Sequence, residues 1–292
     1  MQTFNLILLA IFAVAIIFGS HWLGQQAYNW LPTPATAEAD YVGHLFSFLV
    51  TLGSFVFLGV FGMLIYSILF YRVGNRDTSD APPIRGNLKI EATWTLIPFI
   101  LVVWIASYSF SIYQRMSLLG SLPSVHLHPL EAPAHAQSSP TDGQPEEKIE
   151  VVAKQWSWTF RYLDRNVISH ELHLPIDRRA HLLLQSEDVL HGFYVPNFRI
   201  KQDIVPNRTI DFRFNPNRVG KYTLYDSQFS GTYFAVNTAN VYVDTPEAYQ
   251  QWLAGAAARP ILPPAPANVE HNQPPAIPLR SNWPTIQPRN FP

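Results

Sequence analysis

The chain has 292 residues, no cysteine and a formal net charge of -1 at pH 7. The missing cysteine excludes disulfides, thiolate metal sites, cysteine nucleophiles and a lipoprotein-type anchor. The near-neutral balance gives no sign of a nucleic-acid partner or of a strongly charged docking face. Hydrophobic residues make up 48% and charged residues 14% of the chain, but apolar residues crowd the first 115 positions and prolines crowd the end.

Three stretches match the roughly 20 apolar residues that a helix needs to cross a bilayer. They run over residues 4–23, 44–71 and 94–114, and the second and third contain no Asp, Glu, Lys or Arg. The first has two readings. A signal peptide carries a basic start and a small-residue cleavage site soon after its apolar run. Here Met1-Gln2-Thr3 is uncharged and the nearest small-residue sites, after Ala37 or Ala39, lie far downstream. An uncleaved membrane helix is the expectation, with a signal as the alternative. Trp22, Tyr28 and Trp30 suit an interfacial aromatic belt.

Arg72, Arg76, Arg85 and Lys89 lie between the second and third spans, whereas residues 24–43 hold no Lys or Arg. Positive charge favours the cytoplasmic side, so everything after Met116 is predicted to be external or lumenal. Residues 117–147 show no period and read as a linker. His126, His128 and His135 within it are expected to be polar spacers rather than metal ligands.

From Lys148 the pattern changes to short strands, expected over 149–153, 181–184, 210–214, 220–225 and 239–243. Turn-prone groups bound them, which predicts a β-sandwich or barrel. A short helix is predicted over 245–253. The proline-rich remainder reads as a solvated, disordered tail. The expected division is 1–41 for the N-terminal hydrophobic segment, 42–116 for a transmembrane hairpin, 117–147 for the linker, 148–254 for the external domain and 255–292 for the tail.

Several motifs occur in a specific order. They are Gly86-Asn87-Leu88-Lys89-Ile90-Glu91-Ala92-Thr93-Trp94-Thr95-Leu96-Ile97-Pro98, then Gln155-Trp156-Ser157-Trp158, then Asp188-Val189-Leu190-His191-Gly192-Phe193-Tyr194-Val195-Pro196. Lys201-Gln202-Asp203-Ile204-Val205-Pro206-Asn207-Arg208 follows, and the last is Tyr225-Asp226-Ser227-Gln228-Phe229-Ser230-Gly231-Thr232-Tyr233-Phe234-Ala235-Val236-Asn237. From about Asp40 to Leu253 the set resembles subunit II of haem–copper terminal oxidases. The resemblance implies a helical hairpin bearing an external cupredoxin-like, all-β sandwich. In that family the last motif reads Cys-x-x-x-Cys-Gly-x-x-His-x-x-Met and wraps a dinuclear copper centre.

Measured against that pattern, Asp226 and Ser230 stand at the cysteine positions, Phe234 at the histidine position and Asn237 at the methionine position. Of the side-chain ligands His191 alone remains, so the dinuclear copper is expected to be absent and the chain to bind no cofactor. Gln228 matches the residue whose carbonyl ligates copper and whose side chain, usually Glu, reaches an interfacial magnesium; an amide suits that cation poorly. His191 and Asp226 allow a mononuclear metal site as one reading, and a hydrogen-bonded histidine in a polar pocket as the expected one. His170, His173 and His181 are expected on strands, in surface or packed roles.

Glu91 matches the family glutamate at the mouth of a proton channel into the large subunit. Trp156 matches the tryptophan of the electron path to copper, for which packing is the expected role here. Loss of the copper centre implies quinol rather than cytochrome c as electron donor, as in the cyanobacterial alternative terminal oxidase. The resemblance further implies a bacterial cytoplasmic or thylakoid membrane, subunits I and III as partners, and haem and copper held by subunit I. The alternatives are a cytochrome c oxidase subunit with a rebuilt electron path, or a membrane-anchored assembly module.

Overall fold

The computed structural model describes residues 2–72, 86–116, 146–165 and 167–258, with side chains from Ile7 onward. Arg76 and Arg85, most of the linker with its three histidines, and the tail beyond Ala258 lie outside the described residues.

Among the described residues, three helices are long and apolar enough to span a bilayer. They are α1 (Gln2–Gln26), α2 (Ala37–Phe70) and α3 (Leu88–Met116). All three are longer than the apolar runs that predicted them, because hydropathy marks the lipid-facing part and not the capped ends. At α2 the extra turn starts at Thr36, whose hydroxyl accepts the Ala39 N–H at 3.1 Å, and it carries Glu38 and Asp40, favourable at a helix N-terminus. At α3 Asn87 Oδ1 accepts the N–H groups of Lys89 and Ile90.

Small residues let α1 lie close on α2. Ser47 donates to the Gly24 carbonyl at 2.8 Å, a side chain at Gly24 would strike Thr51, and one at Gly62 would strike the Phe12 ring. Most other large side chains of the three helices are exposed in the isolated chain, as expected for surfaces facing lipid or another subunit.

The outer domain is a sandwich of two five-stranded sheets. Its strands are β1 (Glu147–Lys154), β2 (Ser157–Tyr162), β3 (Val167–Ser169), β4 (Leu172–Pro175), β5 (Ala180–Ser186), β6 (His191–Val195), β7 (Ile200–Ile204), β8 (Ile210–Phe214), β9 (Gly220–Asp226) and β10 (Thr238–Asp244). One sheet has the order β3-β2-β1-β5-β8 and the other β4-β10-β9-β6-β7. Alternate residues point into the space between them, as the two-residue period of a strand requires. Ile149, Val151 and Ala153 of β1 meet Leu182 and Leu184 of β5, Phe193 and Val195 of β6 and Val241 and Val243 of β10 in one core. Each fully buried aliphatic or aromatic side chain there contributes roughly 1.5–3 kcal/mol. Helix α4 (Pro246–Ala257), capped by Thr245, closes the base with Tyr249 and Leu253.

The sandwich is attached to the membrane helices on two sides. Ala35 belongs to its core and Met116, the last residue of α3, packs against that core. Residues 32–40 run along the domain as a strap: the Ala35 N–H donates to the Asn197 carbonyl, the Ala37 N–H to the Asn215 carbonyl and the Asn217 N–H to the Ala35 carbonyl, each at 3.0 Å.

Candidate functional site

The site lies at the loop end of the sandwich, where β6 begins and β9 ends. The β6–β9 ladder pairs Phe193 with Asp226. His191, two residues from Phe193 on the same face of β6, is therefore brought beside the Asp226 carboxylate. His191 is fully buried, and Asp226, Ser230 and Asn237 are nearly so, at 6%, 2% and 1% exposure.

Asp226 is the hub. Its Oδ2 lies 2.6 Å from His191 Nδ1 and accepts the Ser230 hydroxyl at 2.8 Å and the Asn237 amide at 3.1 Å. Its Oδ1 accepts the backbone N–H groups of Gly192 at 2.8 Å and Gln228 at 3.2 Å. On the far edge of the ring His191 Nε2 lies 2.8 Å from Asp188 Oδ1. Asp188 is fixed in turn by the N–H groups of Gln155 and Val189, both at 2.7 Å.

Ionised carboxylates only accept, so with Asp188 and Asp226 charged the two contacts are both satisfied by the imidazolium form of His191. Burial alone would lower its pKa, but bonds and charges from Asp188 and Asp226 outweigh burial and push it up to about 9. Burial pulls both aspartates up, and the bonds from His191 and from backbone N–H groups bring them below the ordinary carboxylate value. Each charge thus stabilises the others, and the buried ions are fully hydrogen-bonded, as burial demands.

The loop is tied to its surroundings by further bonds. Trp158 Nε1 donates to the Asn237 carbonyl at 3.1 Å, and Gln155 Nε2 to the Ser230 carbonyl at 2.6 Å. Gly231 has φ of 112°, and a side chain there would meet the Trp156 ring and Gln155 at 2.9 Å.

Four of the residues singled out in the sequence therefore converge: His191, Asp226, Ser230 and Asn237. Gln228 joins through its backbone N–H. Phe234 stands apart, half-buried, with its ring 5.1 Å from that of Phe229. Glu91 is in the first turn of α3, exposed, and separated from the sandwich by the helix itself, about 40 Å at 1.5 Å per residue. Asp188 was not singled out, although its place three residues before His191 was a usable signal. Trp156 and Trp158 are buried at 3% and 2% exposure.

Of the other histidines expected on strands, His173 on β4 and His181 on β5 are there and buried, whereas His170 is not on a strand. His170 lies in a bend between β3 and β4, with Nδ1 2.6 Å from the Trp158 carbonyl oxygen. His173 pairs with Asp244 at 2.7 Å and stacks on Tyr242 and Trp252. His181 lies between Glu146 at 3.1 Å and Asp211 at 2.6 Å. These partners come from distant parts of the chain and leave no local spacing to read.

The residues at the loop do not fit a dinuclear copper centre. Thiolates are needed to bridge the two coppers, whereas a carboxylate and an alcohol are hard donors and Phe234 offers no lone pair. Both nitrogens of His191 are already engaged by carboxylates, so neither is free to ligate copper. Among the described residues no group of three or more His, Asp or Glu side chains is arranged to hold a metal ion; the Asp188 and Asp226 carboxylates bind opposite edges of one ring instead of converging.

A membrane helical hairpin that carries an outer two-sheet sandwich, with a ligand-type loop between its last two strands, defines the class. The model described as the transmembrane domain of cytochrome c oxidase subunit II matches residues 21–112, and that of its periplasmic domain matches residues 167–241. Cytochrome c oxidase subunit 2 of Synechocystis sp. is 32% identical over 273 residues, covering 85% of this chain and 81% of its own. That of Thermostichus vulcanus is 32% identical over 285 residues, covering 86% of each. The periplasmic domain of subunit II of cytochrome oxidase from Bradyrhizobium japonicum, a solved structure, has a TM-score of 0.37 and 21% identity over 38% of this chain and 94% of that one. The chain belongs to the cytochrome c oxidase subunit II family. It is a membrane protein with its soluble domain on the outer side, and a subunit of a terminal oxidase complex.

Proposed function

We propose that this chain is subunit II of a haem–copper oxidase that takes electrons from quinol, and that its sandwich holds no dinuclear copper. The observation that supports this reading is the Asp188–His191–Asp226 network, in which the one histidine left at a ligand position has both ring nitrogens bonded to carboxylates. Quinol gives up its electrons within the membrane, so an external copper relay is unnecessary. The chain then serves as structure and as a route for protons, with Glu91 at the cytoplasmic mouth of a channel into subunit I. Haem, the oxygen-reducing copper and the quinol site belong to partner subunits, with subunit III completing the complex.

The second reading, a cytochrome c oxidase subunit with a rebuilt electron path, is favoured by the names of the two relatives at 32% identity. The near balance of acidic and basic side chains on the sandwich speaks against it, because cytochrome c docks on acidic faces. The purified complex separates the two. Oxygen uptake with a quinol, none with reduced cytochrome c, and copper per haem accounted for by subunit I alone are expected. Two further coppers, or oxidation of cytochrome c only, would discard the quinol reading. If no haem protein copurifies, the reading as an anchored assembly module gains over both.

A further inference from the structure

Arg199 follows the turn Pro196–Phe198 with φ of 53°, a left-handed conformation that a side chain disfavours. Its guanidinium leaves the sandwich and reaches the membrane helices. There Nη2 donates to the Pro32 carbonyl at 2.9 Å and Nη1 to the Ala39 carbonyl at 3.2 Å. The fork lies against Gly43 of α2, and a Cβ at that position would collide with Nη1. A planar guanidinium is suited to hold two carbonyls at a fixed separation.

The same segment is held from its other side. The buried Glu38 carboxylate accepts both the backbone N–H and the side-chain amide of Asn215 at 3.0 Å. Thr36 donates to the Phe198 carbonyl at 3.3 Å, Asn197 to the Thr33 carbonyl at 3.0 Å, and Asn217 to Asp40 at 2.9 Å. The bonds to the strap come from two loops of the sandwich, around 197–199 and 215–217.

We propose that Arg199 and the 32–40 strap form a latch that fixes the orientation of the sandwich over the membrane helices. The angle at which the 227–237 loop meets neighbouring subunits is then set within this chain. Arg199 is a positioning residue in this scheme, and the scheme does not depend on the electron donor. It requires the strap in the assembled subunit, since cleavage after Ala37 or Ala39 would cut through it.

Spin labels at Gln25→Cys on α1 and Asp164→Cys on the sandwich, unique thiols in this chain, report the orientation in the purified complex. A single narrow distance distribution is expected. Arg199→Ala and Gly43→Ala should each broaden it, and the double variant no more than either alone, because both break one latch. Gly43→Ala leaves the sandwich sequence untouched, so its effect is not a folding defect of that domain. An unchanged distribution in either variant, or additive broadening, overturns the proposal. The intact mass of the subunit from the complex should include residues 7–40, and a chain beginning at Glu38 or Asp40 also overturns it.

Discussion

His191 has no exposed surface yet carries a charge, because two depressed carboxylates face its two nitrogens. With a folded pKa of about 9 against an ordinary 6.5, the folded state holds the extra proton between those values. Its stabilising contribution is complete below pH 6.5 and is lost as pH rises through 9, on the order of 3 kcal/mol at about 1.4 kcal/mol per unit. The unfolding midpoint of the full-length subunit, followed by tryptophan fluorescence, should therefore fall between pH 6.5 and 10. The two aspartates act in the opposite sense: their contribution is present above the ordinary carboxylate pKa and disappears as pH falls below it. His191→Gln leaves the buried Asp226 and the partly exposed Asp188 without their cation and should destabilise the subunit by about 3–5 kcal/mol, whereas Phe234→Leu, outside the network, should change the midpoint little. The sequence identified His191, Asp226, Ser230 and Asn237 as positions. It also led to the expectation of a hydrogen-bonded histidine in a polar pocket, but not to Asp188 as its second partner or to Asp226 as the hub of the loop.

The 227–237 loop keeps its shape through a few backbone requirements, and these test its role as a folded unit. Gly231→Ala forces a side chain into the left-handed region and against Trp156, and should cost about 1–3 kcal/mol in thermal or denaturant unfolding. Thr36→Ala removes the cap of α2 and should cost about 1 kcal/mol. Strands with clean alternation, such as β8, β9 and β10, were legible to within a residue or so. The start of α4 was readable from its capping residue Thr245, but the helix runs to Ala257, four residues beyond the expected end. The edge strands β3 and β4 carry too few residues for a period to show. The strap was invisible because nothing in Pro32–Asp40 is strand-like; its order comes from Arg199, Asn215 and Asn217, more than 150 residues away.

At the scale of the whole molecule, the three spans and the outer sandwich followed from hydropathy and loop charge, while their attachment did not. Single cysteines placed at Asn75 and at Asp164 should react with a membrane-impermeant thiol reagent from opposite faces of sealed vesicles, Asn75 from the cytoplasmic face. Glu91→Gln should slow quinol-driven oxygen consumption of the complex if Glu91 gates proton uptake, and unchanged turnover would make it a helix-end residue alone. The buried imidazolium has a consequence for how the subunit is made. Where a loop is ordered by a metal, binding and folding are coupled, and the domain stays unfinished until the metal arrives. Here the loop is closed around a proton, which water supplies on either side of the membrane. On the copper-free reading proposed above, maturation of this domain does not wait on the copper supply, and its folding can be complete once helix α4 has crossed and closed the base.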